Sequence, residues 1–360
     1  MPINTIGKKQ YRNVLIARFS ALGDVAMSIP VVYSLCRCNP STRFIFITKP
    51  IQQPLFINAP DNLIVLGIDL KVKYSGIRGL YRLFCDLRKE YDIDAFADLH
   101  GVIRSYVLRA LCLINGIKYY SINKGRANKR ALTRSRNKVM LPLISSRARY
   151  REVFFRFGFP LEERFKSLYV NGKADPTMFA DITKPKDKGE TWIGIAPFAK
   201  HRGKIYPLDS METVVKQLSQ RSNTHIFLFG GGDEERKVLS SWAERHDNVI
   251  SLADKRYGFP KELALLSHMD TMISMDSANM HLASLVGVRV ISVWGATHPY
   301  CGFKGFKQNE SDIVQLPMAC RPCSVFGNKP CARGDYHCMA GIPPQLIITK
   351  VQQILDTTQT

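Results

Sequence analysis

Short runs of β-branched and aromatic residues alternate with amphipathic stretches along most of this 360-residue chain. This alternation is typical of parallel strands that are joined by crossover helices. The chain is longer than the size at which a single hydrophobic core usually stops growing, so we expect two domains. The sequence therefore predicts an α/β protein with two Rossmann-like domains that face each other across a cleft.

The alternation runs once through each half of the chain. In the first half we predict strands at 13–19, 43–48, 63–67 and 95–99 and helices at 25–36, 80–90 and 105–113, the first helix broken near its start by Pro30. In the second half we predict strands at 191–196, 225–229, 271–275 and 290–294 and helices at 208–220, 234–245, 279–286 and 345–355. Polar, Pro- and Gly-containing sequence separates the halves and suits a linker. The predicted divisions are a domain at 1–175, a linker at 176–190, a domain at 191–344, and a C-terminal helix at 345–360 that packs back across the domains.

The charge of the chain favours a polyanionic partner. Lys and Arg number 51 against 30 Asp and Glu, a formal charge of +21, and residues 101–166 hold a large share of the excess. Nucleic acid, an anionic membrane surface and phosphorylated substrates all fit such a charge. The basic tract Lys124–Lys138 lacks interleaved aromatic residues and any known nucleic-acid signature, so we do not expect nucleic acid to be the partner.

Two sequence features bear on location. The N-terminal stretch has too short an apolar run for a signal peptide, and no apolar stretch is long enough to span a bilayer. We therefore expect a cytoplasmic protein whose membrane contact is peripheral.

A strand-to-helix turn in the first half carries a candidate catalytic group. Open α/β sheets bind ligands at the carboxyl ends of their strands, and Asp24 follows the first predicted strand there. Asp24 either caps the next helix or acts as a catalytic base. Gly23 lets the backbone approach a ligand, but the turn has no G-x-G-x-x-G fingerprint, which argues against a dinucleotide.

Three further turns in the second half have two interpretations each. Lys204 lies in a cation-rich loop that is either a solvated charge run or a ligand of a diphosphate. Asp276, Ser277 and His281 open a helix, either as a cap with a half-buried histidine or as a diphosphate site. The run Gly230-Gly231-Gly232 forms either an anion-binding turn or, more simply, a tight turn.

A cysteine tract lies near the C-terminus. Cys320, Cys323, Cys331 and Cys338 form one C-x-x-C pair followed by two wider gaps. Such a tract can hold a structural zinc ion, or its members can be free, partly buried thiols.

Five segments occur in a particular order and spacing. They are Arg18-x-Ser20-x-x-Gly23-Asp24, Asp98-Leu99-His100-Gly101-x-x-Arg104-Ser105, Lys204-Ile205-Tyr206-Pro207, Phe229-Gly230-Gly231 and Asp276-Ser277-x-x-x-His281-Leu282-Ala283. Together they resemble the ADP-heptose:lipopolysaccharide heptosyltransferases of glycosyltransferase family nine, over residues 13–297. The family usually has Gly after the Asp-Ser pair, where this chain has Ala278.

The resemblance implies a GT-B fold, with an acceptor-binding first domain and a donor-binding second domain, and an inverting transfer. It implies that Asp24 is the general base, that Lys204 binds the diphosphate, and that Asp276, Ser277 and His281 form the donor loop. We add Gly23, Gly230 and Gly231 to donor binding, and Ser20, His100, Arg104, Arg130, Arg134 and Arg136 to acceptor binding.

The implied substrates are a nucleotide sugar, ADP-heptose above all, and a lipid A-core type acceptor at an anionic membrane surface. No cofactor is required if Lys204 and the helix at Ser277 stabilise the leaving diphosphate. A zinc ion at the cysteine tract would have only a structural role. A sugar-nucleotide epimerase of similar fold is the alternative enzyme, and a basic nucleic-acid-binding protein is the alternative outside enzymes.

Overall fold

The computed structural model describes residues 11–359 and has two parallel sheets within them. The strands are β1 Asn13–Ala17, β2 Arg43–Thr48, β3 Leu63–Gly67, β4 Ala95–Asp98, β5 Lys118–Ser121, β6 Thr191–Ala196, β7 Thr224–Leu228, β8 Val249–Ser251, β9 Thr271–Met275, β10 Val290–Trp294 and β11 Ile313–Gln315. The helices are α1 Leu22–Cys38, α2 Gly76–Tyr91, α3 Ile103–Ile114, α4 Arg126–Thr133, α5 Ser146–Phe157, α6 Leu208–Ser219, α7 Asp233–Ala243, α8 Phe259–Leu266, α9 Ala278–Leu285, α10 His337–Ala340 and α11 Pro344–Gln359. The N-terminal residues considered for a signal peptide (1–10) and Thr360 lie outside the described part.

Both sheets have a point at which the strand order reverses. The first sheet has the order β3-β2-β1-β4-β5 and the second the order β11-β10-β9-β6-β7-β8, and the neighbouring strands pair in parallel. Ligands of open α/β sheets bind at the carboxyl ends of the strands beside such a reversal. The reversal falls between β1 and β4 in the first sheet and between β6 and β9 in the second. The segments after these four strands are the ones that carry Asp24, His100, Lys204 and Asp276.

Each sheet has its own hydrophobic core. In the first, α2 and α3 pack against β1, β2 and β4 through buried side chains such as Leu83 and Leu108. In the second, α6, α7 and α11 cover the sheet, and α11 contributes Ile347, Val351 and Ile354. A helix is therefore present where we predicted one, and its buried side chains belong to the core of the second sheet; its packing back across the domains stays a prediction.

The chain divides into two compact units that are not continuous in sequence. The first unit comprises the described residues up to Lys124 together with Ser146–Phe165, and the second comprises Gly125–Ser145 and the residues from Lys166 onward. These divisions differ from the predicted ones, because 125–145 belongs to the second unit rather than to a domain at 1–175. We call this stretch the 125–145 segment.

The predicted linker at 176–190 is not a free connection, because its residues pack against the second unit. A short 3-10 helix, Pro176–Phe179, buries Phe179 against the rings of Trp192 and His268 in the second unit. Lys186 forms an ion pair with Asp270 at 2.6 Å. Apolar burial and this ion pair hold the stretch to the second unit, although its composition is that of a linker.

Helix α1 corrects one further prediction. It begins at Leu22 and continues through Pro30 to Cys38, whereas we expected a start at Val25 and a break at Pro30. A proline removes one backbone donor, and the apolar contacts of the buried residues from Val25 to Cys36 compensate for it. Within residues 11–359, no helix combines the length and hydrophobicity needed to cross a bilayer.

Candidate active site

Asp24 occupies the third position of α1, directly after the carboxyl end of β1. Its carboxylate oxygen Oδ2 lies 2.6 Å from the guanidinium of Arg18 and accepts a hydrogen bond from the backbone N–H of Ala21 at 3.1 Å. Among the described residues, nothing bonds the other oxygen, Oδ1, and the side chain is 27% exposed. Asp24 therefore caps α1 with one oxygen and leaves the other without a bond to any described residue.

Arg18 is the buried cation that holds Asp24. It donates a hydrogen bond to the carbonyl of Leu99 at 2.7 Å, and its guanidinium lies 5.8 Å from the ring centroid of Tyr150. Burial acts to lower the pKa of Arg18, but Tyr150 and Asp24 outweigh burial and raise it above its ordinary value. The charge of Arg18 is thus permanent. The motif included Arg18, but sequence reasoning gave it no role.

Ser20 and His100 are brought together at the same end of the first sheet. The N–H of Phe19 donates to Nδ1 of His100 at 3.4 Å, so the ring proton is on Nε2, which donates to Oγ of Ser20 at 3.3 Å. Burial and the nearby charges of Arg18 and Lys124 lower the pKa of His100 to about 3. His100 is therefore neutral at physiological pH and acts as a donor to Ser20.

Asp98 builds the turn that positions His100. It is fully buried, and its Oδ1 accepts hydrogen bonds from the N–H groups of His100 at 2.9 Å and Gly101 at 2.8 Å. Gly101 has a φ of +60°, a left-handed conformation that favours glycine. The role of Asp98 is thus to shape the backbone rather than to meet a ligand.

Arg104 lies in the first turn of α3 and is exposed. A cation at a helix N-terminus is disfavoured by the helix dipole, so α3 gains no stability from this residue type at this position. An exposed arginine four residues after His100 is suited to a phosphate or carboxylate.

Lys204 and Asp276 meet at the carboxyl edge of the second sheet. Lys204 ends a 3-10 helix after β6, and its ammonium lies 3.1 Å from Oδ2 of Asp276, which follows β9. The hydroxyl of Thr297 donates to the same oxygen at 2.8 Å. Asp276 is buried and Lys204 is 16% exposed, so the pair fixes one positive charge at the surface of the site. Sequence reasoning missed Thr297, which follows β10 and belongs to none of the quoted motifs.

The helix after Asp276 begins as predicted, with Ser277 as the N-cap residue. The hydroxyl of Ser277 lies 3.4 Å from that of Ser274 and does not cap the helix. The N–H groups of the first turn of α9 therefore receive no bond from this side chain. His281 lies one turn inside α9 and is buried, where a half-buried residue was the simpler expectation.

The glycine run after β7 is organised by a glutamate. The N–H of Gly231 donates to Glu235 at 2.8 Å, and Gly232 has a φ of +106°. A Cβ on Gly230 would lie 2.6 Å from a methyl group of Leu239, so close packing requires glycine there. With three acidic residues in the first turn of α7, this geometry favours the tight-turn interpretation over anion binding.

The basic tract does not act as one surface. Arg130, Arg134 and Arg136 are exposed in the 125–145 segment, and therefore in the second unit. Lys138 instead donates to the carbonyls of Cys320 at 2.5 Å and Pro322 at 2.7 Å, and burial lowers its pKa. After these residues come exposed apolar side chains, namely Val139, Met140, Leu141 and Ile144.

The four cysteines of the tract lie near one another without forming a ligand set. Burial raises the pKa values of Cys323 and Cys338, and the neighbouring thiols of Cys320 and Cys331 also raise them. Within residues 11–359, no three side chains of His, Cys, Asp or Glu are grouped so as to hold a metal ion. The side chains as placed do not fit the zinc site that the spacing allowed.

Comparisons with known proteins identify the family to which this chain belongs. The family model for glycosyltransferase family 9 (heptosyltransferase) matches residues 80–330. The chain belongs to this family. It is 20% identical to lipooligosaccharide heptosyltransferase 2 of Campylobacter jejuni over 339 residues, 92% of this chain and 96% of that protein.

Solved structures of the family share the fold. The family 9 glycosyltransferase of Veillonella parvula has a TM-score of 0.72 at 15% identity, covering 97% of this chain and 98% of that one. Escherichia coli heptosyltransferase WaaC, solved with ADP-2-deoxy-2-fluoro heptose, has a TM-score of 0.60 at 17% identity, covering 88% and 97%. The predicted GT-B class, with two Rossmann-like domains, is confirmed, and family membership favours glycosyl transfer over the epimerase and nucleic-acid alternatives.

Proposed function

We propose that this family 9 enzyme transfers heptose from ADP-heptose to a lipopolysaccharide or lipooligosaccharide core acceptor, with inversion at the anomeric carbon. The observation that carries the proposal is the asymmetric environment of the Asp24 carboxylate. Arg18 and the N–H of Ala21 fix one oxygen, and the other points to no described residue. With one oxygen fixed, the other can accept a proton from a bound hydroxyl without moving the side chain from the start of α1.

In the proposed step, Oδ1 of Asp24 takes the proton of an acceptor hydroxyl as that oxygen attacks the anomeric carbon of the donor. The new carbon–oxygen bond forms as the bond to the diphosphate breaks, and ADP leaves with the bonding electron pair. Attack from the face opposite the leaving group inverts the configuration. A positioned general base contributes about 10²–10⁴-fold to such a rate.

We propose that the second unit binds the donor. The ammonium of Lys204 and the N–H groups at the start of α9 would stabilise the charge that develops on the diphosphate. Asp276 holds this ammonium through an ion pair at 3.1 Å. The hydroxyl of Thr297 in turn holds the Asp276 carboxylate through a hydrogen bond of 2.8 Å. WaaC, solved with an ADP-heptose analogue, supports ADP-heptose as the donor.

We propose that the first unit binds the acceptor. His100 donates to Ser20, so the Ser20 hydroxyl proton can be directed to an acceptor oxygen. Arg104 is exposed and would bind a phosphate or carboxylate of the acceptor. The lipooligosaccharide heptosyltransferase of C. jejuni supports an acceptor of this class.

We further propose a peripheral location at the cytoplasmic face of the inner membrane. Arg130, Arg134 and Arg136 are exposed, and exposed apolar side chains follow them in the sequence at 139–144. An anionic bilayer attracts the arginines electrostatically, and the apolar side chains can insert at its surface. Lys138 is excluded from this surface because it donates to two carbonyl groups.

The transfer as proposed requires no metal ion. Lys204 supplies a positive charge at the donor site, and the Asp92-x-Asp94 pair, similar to the metal-binding motif of other glycosyltransferases, has a structural role. Asp94 accepts hydrogen bonds from the backbone N–H groups of Arg12 at 2.6 Å and Asn13 at 3.3 Å.

Two measurements test the donor and the stereochemistry. Titration calorimetry with ADP, UDP and GDP should show binding of ADP alone. Proton NMR of the product of a single turnover should show the anomeric configuration opposite to that of the donor. Retention of configuration, or binding of UDP as tight as that of ADP, would contradict the proposal.

A further inference from the structure

Gly327 lies directly against the side chain of Lys204, far from it in sequence. A Cβ on Gly327 would lie 2.5 Å from Cγ and 2.6 Å from Cδ of Lys204, closer than real Cβ atoms approach other atoms. Gly203 also packs closely, since its Cβ would lie 2.8 Å from Cβ of Ala296 and 3.2 Å from the carbonyl oxygen of Gly327. The turn at Gly327 therefore confines the aliphatic part of Lys204.

Hydrogen bonds tie this turn to the loop that carries Lys204. Oγ of the buried Ser324 accepts a bond from the N–H of Gly327 at 3.0 Å. The N–H groups of Cys323 and Ser324 donate to the carbonyl of Ala296 at 3.1 and 3.3 Å, and the N–H of Ala296 donates to Gly203 at 2.8 Å. Gly327 is thus fixed relative to the residue that precedes Lys204.

The same stretch also fixes the partner of Lys204. Arg321 is 3% exposed, and its guanidinium donates to the carbonyls of Trp294 at 3.1 Å, Thr297 at 3.0 Å and Gly295. Thr297 in turn bonds Asp276. Residues 321–327 therefore position both ends of the pair between Lys204 and Asp276.

We propose that Gly327 is a positioning residue that directs the ammonium of Lys204 toward the diphosphate of the donor. The inference rests on the proposed function, because it takes Lys204 to be the diphosphate ligand. A methyl group at position 327 occupies the space of Cγ and Cδ, so the lysine stem must rotate and carry its ammonium away from Asp276. Two features favour glycine at position 327. The side chain of Lys204 leaves no room for a Cβ, and the backbone there has a φ of +75°.

The chain offers a matched control for the backbone part of this requirement. Gly334 lies in the same C-terminal tract with a φ of +78°, and its Cβ would meet nothing within 4 Å. Gly327→Ala and Gly334→Ala therefore share the left-handed strain, and only the first displaces Lys204. By titration calorimetry with ADP, we expect Gly327→Ala to bind at least about tenfold more weakly and Gly334→Ala to bind as the wild type does. Gly334→Ala should lose only the stability that the left-handed strain costs, and Gly327→Ala should lose more, because it also separates Lys204 from the buried Asp276.

A double-mutant cycle assigns the effect to Lys204. Lys204→Ala alone should weaken ADP binding, and adding Gly327→Ala should then change nothing further. If Gly327→Ala does not fold, Ser324→Ala releases the turn without adding atoms and should weaken ADP binding about fivefold, again only when Lys204 is present.

The outcomes separate the two proposals. If Lys204→Ala binds ADP as the wild type does, Lys204 is not the diphosphate ligand, and the proposed donor site fails together with this inference. If Lys204→Ala weakens binding but Gly327→Ala behaves like Gly334→Ala, the inference alone is overturned. Effects of Gly327→Ala and Lys204→Ala that multiply would also overturn it, because Gly327 would then act through another group.

Discussion

Replacement of Asp24 by asparagine removes the proposed base while keeping the size of the side chain. The amide oxygen of the introduced asparagine can still accept the N–H of Ala21, so the start of α1 should persist. We expect transfer to fall by about 10²–10⁴-fold, the usual contribution of a positioned general base. ADP affinity should be unchanged, because Asp24 belongs to the first unit and the proposed donor groups to the second.

The substitution also has a cost in stability that follows from Arg18. Breaking a fully buried ion pair costs about 3–5 kcal/mol, because the remaining charge has no partner. Asp24 is 27% exposed, and Arg18 keeps its 2.7 Å bond to the carbonyl of Leu99. We therefore expect a smaller loss, about 1–3 kcal/mol in the free energy of unfolding.

A matched variant separates this loss of stability from the loss of chemistry. Asp312 pairs with Arg289 at 2.6 Å, the same distance as the pair of Asp24 with Arg18, and is assigned to no site. Asp312 is only 2% exposed, so Asp312→Asn should lower the free energy of unfolding, measured in urea, by at least as much as Asp24→Asn does, and it should leave the transfer rate unchanged. If Asp24→Asn transfers heptose within about tenfold of the Asp312→Asn rate, Asp24 is only a cap and an ion-pair partner, and the base assignment is refuted.

Three further predictions concern the membrane, metal ions and pH. Replacing Arg130, Arg134 and Arg136 by Ser should weaken binding to anionic vesicles about 100-fold at low salt and raise KM for a phosphorylated acceptor. If the variant co-sediments with the vesicles as the wild type does, these arginines do not bind the membrane. Treatment with EDTA should leave the transfer rate unchanged, and a loss that added Mg²⁺ restores would contradict the charge role of Lys204. The pKa of His100 lies at about 3 rather than 6.5, so the unfolded chain binds a proton that the folded chain does not as pH falls below 6.5. The free energy of unfolding should therefore fall as the pH is lowered from 6.5 to 3. Urea unfolding at pH 7 and pH 5 should show a smaller difference between the two free energies in His100→Gln than in the wild type. An equal difference in the two proteins would contradict the lowered pKa of His100.

The central strands could be predicted from the sequence because they are buried on both faces. Their apolar runs are bounded by polar residues, and β2, β6, β9 and β10 have the predicted bounds, as does the edge strand β3. Edge strands carry a weaker signal. The strand Lys118–Ser121 has no fully buried residue, and Val249–Ser251 and Ile313–Gln315 have three residues each, too few for a period to show.

Helices without an apolar face were also beyond the reach of the sequence. In α4, Leu132 is the one buried residue, so the helix has no stripe of the kind that periodicity detects. Helix α5, which was not predicted either, does have a stripe: Tyr150, Val153, Phe154 and Phe157 are buried at helical spacing, and the buried Arg149 beside them donates to the carbonyl of Asn123 at 2.8 Å. These elements depend on contacts with distant parts of the chain, which composition does not report.

The candidate site, too, could be predicted only in part from the sequence. The types of Asp24, Lys204 and Asp276 and their places after strands could be predicted, because parallel strands bring their carboxyl ends to one edge. The partners that fix these groups, Arg18 and Thr297, depend on side-chain geometry, which neither periodicity nor position in a turn reports.

The discontinuity of the two units has a consequence for synthesis on the ribosome. The first unit is complete once Phe165 has emerged, but the 125–145 segment bonds to residues made much later, through Leu143 to Tyr300 and Lys138 to Pro322. At about 5–20 residues per second, the segment waits about 10–40 s for these partners. During that time the segment is made but lacks the later residues that hold it in the second unit, so its folding must follow that of the first unit.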